Sequence, residues 1–171
     1  MRSKQSNFIR FKTPSIDLDE IDFAILHALQ NNARLSNKEL AAKVGLAPSS
    51  CLARFRKLMK QKVIRGFYAD VNLATLGIGL QAIIAVRMAR HSRDQFRSLY
   101  AYTQRMPEVL QVFQVSGEKD LLIHVAVADV EHLRDLIFDQ LATRSEVASC
   151  ETSLIFSLFR QSRLPQAVLK G

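Results

Sequence analysis

The sequence contains few of the residues on which disulfide frameworks and metal sites depend. Only two of its 171 residues are cysteines, Cys51 and Cys150, which are too few and too scattered for a disulfide framework. No C-x-x-C or H-x-x-x-H spacing offers the ligands of a metal ion. We therefore predict that both thiols are buried, that the four histidines are ordinary core or surface residues, and that the protein uses no metal or cofactor.

Long apolar runs and glycine-rich motifs are also absent from the sequence. No segment approaches the roughly 20 consecutive apolar residues that span a bilayer, and the N-terminus lacks the apolar centre of a signal peptide. The six glycines form neither a phosphate-binding loop nor a G-x-S-x-G elbow. The sequence thus predicts a cytoplasmic protein that is not an enzyme, with enough apolar residues (48%) for one or two packed cores.

Positive charge is concentrated in the first part of the chain. Residues 1–75 contain 13 Lys and Arg against 6 Asp and Glu, a net charge of +7, whereas residues 76–171 contain 11 against 10, a net charge of +1. Between residues 40 and 66 there are seven basic residues and no acidic ones. Such asymmetry predicts that the first part binds a polyanion, either nucleic acid or an anionic membrane surface.

Helix-capping signals divide this basic part into three helices. Asp17 or Asp19 can cap a first helix, and a capping box of Ser36 and Glu39 begins a second. A glycine in "VGLA" ends the second helix, and a proline begins a third over about residues 48–61. Two helices joined by a tight glycine turn are typical of a helix-turn-helix, whose second helix enters the major groove of DNA.

The third helix has one apolar side and one cationic side. At about 100° per residue, Cys51, Phe55 and Leu58 form one narrow stripe, and Arg54 lies close enough to it to favour a structural ion pair. The opposite side is small, polar and basic, which suits contact with bases and phosphates, although a solvated helix face has the same pattern. The predicted DNA-binding residues are Ser49, Ser50, Ala53, Arg56, Lys57, Lys60 and Arg65.

The rest of the sequence alternates between strand and helix patterns. "VIRGFYADV", residues 63–71, has β character and predicts a short ribbon or wing, and residues 72–79 contain two glycines that mark a linker. The order β-α-β-β-α-β follows, which predicts an α+β, ferredoxin-like domain with a four-stranded antiparallel sheet and both helices on one face. Apolar residues on the other face predict a second subunit as its cover. The predicted organisation is a basic flexible arm (1–16), a winged helix-turn-helix domain (17–71), a linker (72–79), a ferredoxin-like effector and oligomerisation domain (80–158) and a tail (159–171).

Two of these stretches resemble a known family. "LDEIDFAILHALQNNARLSNKELAAKVGLAPSSCLARFRKLMKQKVIRGF" resembles the N-terminal signature of the leucine-responsive regulatory protein/AsnC family of prokaryotic transcription regulators, and "VSGEKDLLIHVAV" resembles the G-x-x-D turn of their effector domain. The resemblance covers about residues 17–158. Four residues depart from the family pattern, in which a serine cap, a glutamate, a glycine and an aromatic residue are usual: Ala47, Met59, Lys62 and Lys119.

The resemblance implies a sequence-specific regulator of amino-acid-related genes. It implies a homodimer formed through the sheet domains, often assembled into octamers, that binds pseudo-palindromic double-stranded DNA and responds to a small amino acid. By position, the implied effector-binding residues are Ser116, Gly117, Glu118 and Asp120. A glycine backbone can approach a carboxylate and Asp120 can receive an ammonium group, but G-x-x-D is also ordinary hairpin chemistry. Lys119 could instead pair with Asp120 and leave the protein without an effector.

Other functions remain open at this point. Siroheme decarboxylases share the two-domain plan, and an enzyme of that kind would have His91 and His124 as candidates for its tetrapyrrole pocket. The basic third helix argues against it. RNA binding by the sheet is disfavoured because Phe113 stands nearly alone as a stacking aromatic. Membrane binding is disfavoured because the basic helix has no apolar face left once its stripe is buried.

Overall fold

A computed structural model of the protein describes residues 16–90, 92–159 and 161. Within them the chain divides into a helical unit that ends at Tyr68 and a sheet unit that extends from Ala69 to Phe159. The predicted basic arm, apart from residue 16, and the predicted tail, apart from residues 159 and 161, lie outside the described residues.

The helical unit contains α1 (Glu20–Asn31), α2 (Asn37–Lys43) and α3 (Pro48–Lys60). Asp19 is the N-cap of α1, and its carboxylate accepts a hydrogen bond from the backbone N–H of Asp22 at 2.9 Å. The predicted capping box at the start of α2 is confirmed: the hydroxyl oxygen of Ser36 accepts from the N–H of Glu39, and the carboxylate of Glu39 accepts from the N–H of Ser36. Gly45, at φ 68°, provides the left-handed turn after α2.

The two ends of α3 have unusual residues. Ala47 occupies its N-cap and offers no side-chain hydrogen bond, while Pro48 takes the first helical position, where its missing N–H costs nothing. After the helix, Lys62 has φ 58°, a left-handed conformation that glycine adopts without strain. Two of the departures from the family pattern therefore fall at the two ends of this helix.

The core of the helical unit combines one face of each helix. Cys51 and Leu58 on α3 are fully buried, as predicted, and Phe55 packs partly buried against them. The remaining buried apolar residues come from α1 and α2 and are Ile25, Leu26, Leu29, Leu40 and Ala41. Since Ala41 is buried and has only a methyl group, it permits the close approach of α2 to α3 that a helix-turn-helix requires.

The predicted β ribbon after α3 is wrong. Residues 65–72 have no strand conformation, and the unit consists of helices and connecting segments in its described part. A strand requires a second extended segment to satisfy its N–H and C=O groups, and residues 16–68 of the helical unit supply none to residues 63–71. The ring of Phe67 instead stacks on that of Phe55 with 6.3 Å between centroids, and Tyr68 is 86% exposed.

The sheet unit has the predicted β-α-β-β-α-β order. A short 3-10 helix (Leu73–Leu76) and Gly77, at φ 79°, precede it. Its elements are β1 (Leu80–Met88), α4 (Arg93–Thr103), β2 (Val109–Gln114), β3 (Leu121–Val127), α5 (Val130–Asp135), a π-helical continuation of α5 (Leu136–Leu141) and β4 (Val147–Leu154). All strand pairs are antiparallel in the order β2-β3-β1-β4, so the ferredoxin-like prediction is confirmed.

Both helices of the sheet unit pack on one face of the sheet. Ile84 of β1 and Ile123 of β3 are fully buried there against Leu99 of α4 and Leu136 at the end of α5. Ser92 is the N-cap of α4, but its side chain makes no capping hydrogen bond. The pairing of β1 with β4 shifts between residues 87 and 88, which marks a β-bulge.

The opposite face of the sheet, which we call the open face, mixes apolar and polar residues. By strand alternation it carries Ile83 on β1, Phe113 on β2, and Leu122 and His124 on β3. Phe113 is 45% exposed, whereas His124 is buried by its own neighbours. Neither α4 nor α5 packs on this face, because both lie on the other one.

Candidate nucleic-acid interface

The predicted DNA-binding residues all lie on the solvent side of α3 or just after it. The small ones occupy the first turns of the helix and the long cationic ones its second half. All seven are exposed: Ser49, Ser50, Ala53, Arg56, Lys57, Lys60 and Arg65. The leading turns are therefore slim enough to approach base edges, while the long basic side chains can reach phosphates beside them.

The cations of this surface have no acidic partners in the part of the chain that the structure describes. None of its ion pairs involves Arg56, Lys57 or Lys60, and none of its side-chain hydrogen bonds engages them. The sequence explains this, since residues 40–69 include no aspartate or glutamate. Their charge is thus available to a polyanion without the loss of any internal ion pair.

Arg54 behaves differently from its cationic neighbours. One guanidinium nitrogen, Nη1, donates to Asp19 Oδ2 at 2.6 Å and to Asp22 Oδ1 at 3.0 Å. The backbone N–H of Asp22, followed by the guanidinium, lowers the pKa of Asp19, and the two carboxylates raise the pKa of Arg54. The predicted structural ion pair is confirmed. It joins α3 to the N-terminal end of α1 and so helps to fix the orientation of the cationic surface.

A second polar contact fixes the turn between α2 and α3. The side-chain amide of Asn37 donates to the carbonyl oxygen of Pro48 at 2.8 Å, and the N–H of Leu46 donates to the carbonyl oxygen of Ala41 at 3.0 Å. Sequence reasoning missed Asn37, since nothing local distinguishes its role from that of a solvated first-turn residue. The contact ties the start of one helix to the start of the next.

The predicted effector-binding residues lie together on the turn between β2 and β3. Ser116, Gly117 and Glu118 are exposed, and Gly117 has φ 120°, which favours glycine. The carboxylate of Asp120 accepts a hydrogen bond from the backbone N–H of Met88 at 2.8 Å, and its own N–H donates to the carbonyl oxygen of Val86 at 2.9 Å. Asp120 therefore anchors this turn to β1.

Lys119 is held beside the same turn by other acids than the one the sequence suggested. Its ammonium contacts the carboxylate of Glu151 on β4 and lies 3.6 Å from that of Glu118. The hydrogen bond to Glu151 is the main cause of the raised pKa of Lys119. The pairing with Asp120, which the sequence had left as a possibility, is thus replaced by a bridge from the turn across β1 to β4.

Of the two histidines considered for an enzyme site, the structure describes only His124. His91 lies outside the described residues. His124 is buried on the open face, where Nε2 lies 2.9 Å from the side-chain oxygen of Gln81, and burial lowers its pKa. The described residues contain no group of three or more side chains that could together hold a metal ion. None of the helices in this part is long and apolar enough to cross a membrane.

Comparison with known proteins assigns both units to one family. Residues 18–59 match the AsnC-type helix-turn-helix domain, and residues 81–165 match the Lrp/AsnC ligand binding domain. The chain is 44% identical over 144 residues to the HTH-type transcriptional regulator AldR of Mycolicibacterium smegmatis, covering 84% of each protein. It is 34% identical over 151 residues to the leucine-responsive regulatory protein of Escherichia coli K12, covering 88% of this chain and 92% of that protein.

A solved structure supports the same assignment. A transcriptional regulator of Neisseria meningitidis, crystallised as a complex with L-Met, superimposes with a TM-score of 0.82 at 32% identity, covering 90% of this chain and 99% of that one. The resemblance in the helix-turn-helix and effector-domain sequences is thereby confirmed over both units. The chain belongs to the Lrp/AsnC family of DNA-binding transcription regulators.

Proposed function

We propose that this regulator binds duplex DNA through the exposed side of α3, as a homodimer joined by the open faces of two sheets. We further propose that a small amino acid binds at the turn between β2 and β3, and that the protein works in the cytoplasm without catalysing a reaction. The observation that carries the proposal is the contrast within α3. Arg54 is engaged by two carboxylates, whereas Arg56, Lys57 and Lys60 are exposed and unpaired among the described residues.

Phosphate contacts account for affinity in this arrangement. Each cation of α3 that meets a phosphate releases counterions, so the logarithm of the binding constant falls with that of the salt concentration by about 0.9 per contact. Arg65 lies beyond the end of the helix and extends the cationic surface toward the adjacent backbone. Because these cations form no ion pair within the described residues, none of the ion pairs seen there must break to release their charge.

Base contacts account for sequence preference. The hydroxyl groups of Ser49 and Ser50 can donate to or accept from base edges, and the methyl group of Ala53 can pack on a thymine methyl group. Arg56 can form a bidentate contact with a guanine if it turns toward the groove floor. These four side chains are the candidates for direct readout.

Dimerisation follows from the uncovered sheet face and from the size of the DNA contact. Ile83, Leu122 and Phe113 present apolar surface that α4 and α5 do not cover, and residues 76–171 are nearly neutral, so two copies do not repel each other. A dimer also offers two α3 helices to one duplex, and helix-turn-helix dimers bind half-sites about 34 Å apart. Further assembly, up to the octamer expected from the family, would use other surfaces such as the edge strands β2 and β4.

The effector part of the proposal rests on the turn around Gly117. A relative of this chain was crystallised with L-Met. Here the backbone N–H groups beside Gly117 can meet a ligand carboxylate, and the exposed carboxylate of Glu118 can receive its ammonium group. Asp120 acts indirectly, because its carboxylate already holds the N–H of Met88.

The DNA assignment can be tested with two matched triple variants. Duplexes selected by the parent protein from a random library serve as probes, and affinity is measured by fluorescence anisotropy from 50 to 300 mM salt. We expect Arg56→Ala/Lys57→Ala/Lys60→Ala to lower the salt slope by up to about 5.4 for the dimer, since each of its two subunits loses up to three phosphate contacts. Arg93→Ala/Arg97→Ala/Arg105→Ala removes the same charge from exposed positions of the sheet unit and should leave the slope nearly unchanged. Equal effects of the two triples would refute the assignment.

A further inference from the structure

The centre of the open face contains a buried polar group. His124 on β3 is only 7% exposed, and its Nε2 lies 2.9 Å from Oε1 of Gln81 on β1. By register it stands between Ile83 on β1 and Gln111 on β2. A neutral imidazole therefore has its Nε2–H satisfied by Gln81, whereas protonation at Nδ1 adds a donor and a charge in the middle of a largely apolar face.

No carboxylate of the described chain is placed to compensate that charge. On β1 the charged residue of the open face is Arg87, near the far end of the strand, and on β4 it is Glu151, which lies beyond β1 and pairs with Lys119. Glu108 precedes β2, and its carboxylate contacts α5 on the other side of the sheet. Leu122 and Ala126 are the same-face neighbours of His124 on its own strand. The charged ring would thus depend on water for solvation.

We propose that His124 makes the association of two copies of this chain through the open face sensitive to pH, so that the dimer dissociates in acid. The inference rests on the dimer described under the proposed function and adds its regulation. A second copy on the open face removes the water that would solvate a charged ring. Protons therefore bind the separated chains more readily than the dimer.

The direction of this pH dependence follows from the linkage between proton binding and association. Burial already lowers the pKa of His124 below its ordinary value in the single chain, and a covering subunit lowers it further. The association is thus fully stable above the pKa of the separated chain and is lost as pH falls below it. With one histidine per chain at this position, the dissociation constant can rise by up to about 100-fold per pH unit below that point.

Such a dependence would couple acidification to release of DNA. A dimer contacts two half-sites, and a single chain contacts one, so dissociation removes the avidity of the pair. The regulator would then leave its DNA sites when pH falls, without any change in the α3 surface itself.

The experiment compares the full chain with two single-histidine variants. Sedimentation at a series of concentrations gives the dimer dissociation constant at pH 7.5 and pH 5.0. We expect that constant to rise at least about tenfold in the parent protein. His124→Gln keeps a polar partner for Gln81 and should remove most of this rise. His132→Gln removes a histidine that contacts Glu108 and should behave like the parent.

A second measurement does not depend on a substitution. The imidazole signals of the parent protein, followed by NMR against pH, should give a lower pKa for His124 at high protein concentration than at high dilution. A dimer whose dissociation constant is the same at both pH values overturns the inference and leaves the dimer intact. The inference is also overturned if the dissociation constant of His124→Gln rises between pH 7.5 and pH 5.0 as much as that of the parent protein, while the variant has native circular dichroism. If the parent protein is monomeric at pH 7.5, the proposed dimer is refuted together with its regulation. DNA binding by α3 is then still tested separately by the salt titrations of the triple variants.

Discussion

The guanidinium of Arg54 on α3 donates a hydrogen bond to the carboxylate of Asp22 on α1 at 3.0 Å, and Asp22 is only 1% exposed. Asp19, the N-cap of α1, is the second acceptor of the same nitrogen. One guanidinium therefore supports the N-cap of α1 and helps to fix the orientation of α3. This shared use makes the pair sensitive to substitution of either acid.

Replacement of the buried acid should destabilise the helical unit. Asp22→Asn leaves the cap geometry nearly intact but removes the charge that Arg54 contacts, so we expect a loss of about 1.5–3 kcal/mol in the free energy of unfolding. Urea denaturation followed by circular dichroism measures it. Asp17→Asn, an exposed residue just before the helix, should change stability by less than about 0.5 kcal/mol. Equal losses in both variants would contradict the role of Asp22.

The cap also predicts a pH dependence. The pKa of Asp19 is lowered by its bonds to the N–H of Asp22 and to Arg54, so its contribution to stability is present above the ordinary aspartate pKa and is lost as pH falls through the lowered value. We expect Asp19→Ala to narrow the stability difference between pH 6 and pH 3. A difference as large as that of the parent protein would show that other acids account for the acid sensitivity.

The residue after α3 offers a gain in stability. Lys62 has φ 58°, so Lys62→Gly should relieve a left-handed strain of about 1 kcal/mol, partly offset by the greater freedom of glycine in the unfolded chain. Thermal unfolding should show a rise of a few degrees. Lys57→Gly removes the same charge from within α3 and should lower stability by about 1 kcal/mol. A shift of the same sign in both variants would argue against strain at Lys62.

The dimer can be tested by placing a charge on the open face. Ile83→Lys puts an ammonium group beside Leu122 and His124, and we expect it to raise the dimer dissociation constant by at least about 100-fold. Phe138→Lys, on the π-helical segment and 63% exposed, is the matched apolar-to-lysine control and should remain dimeric. Mass photometry separates the two species. A dimeric Ile83→Lys protein would place the interface elsewhere.

Effector binding can be tested by calorimetry against the twenty amino acids. If Glu118 receives the ligand ammonium group, Glu118→Gln should weaken binding by at least about tenfold. Glu131→Gln removes an exposed carboxylate from α5 and should have no effect. Unchanged binding in Glu118→Gln would move the ligand away from this turn, and no binding by the parent protein would leave a regulator controlled by its concentration alone.

Much of the helical unit could be predicted from sequence patterns that involve residues only a few positions apart. The capping box of Ser36 and Glu39 involves residues three apart, and the side of α3 that becomes buried follows from helical periodicity alone. Arg54 could be assigned to an ion pair because its angle on the helix placed it near the buried stripe. Its acceptors, from another helix, could not be named in advance.

Features that depend on distant segments were predicted less well. The β ribbon failed because strand formation depends on a partner, and β character in residues 63–71 says nothing about one. The partner of Lys119 was missed because Glu151 lies 32 residues away and is brought near only by the order of strands in the sheet. Asn37 was missed for a similar reason, since its acceptor belongs to the next helix.

The hydrogen bond between Met88 and Asp120 has a consequence for how this family can diverge. The N–H of Met88 lies on the side of β1 that faces β3, two residues beyond the last pair of these strands at Val86, and the carboxylate of Asp120 serves as its acceptor in place of a strand partner. If the aspartate were replaced by an apolar residue, that N–H would lose its acceptor unless the pairing of the two strands became longer. The length of this strand pairing and the aspartate should therefore be inherited together. Relatives that lack the acid at this turn should continue the pairing to the residue that corresponds to Met88.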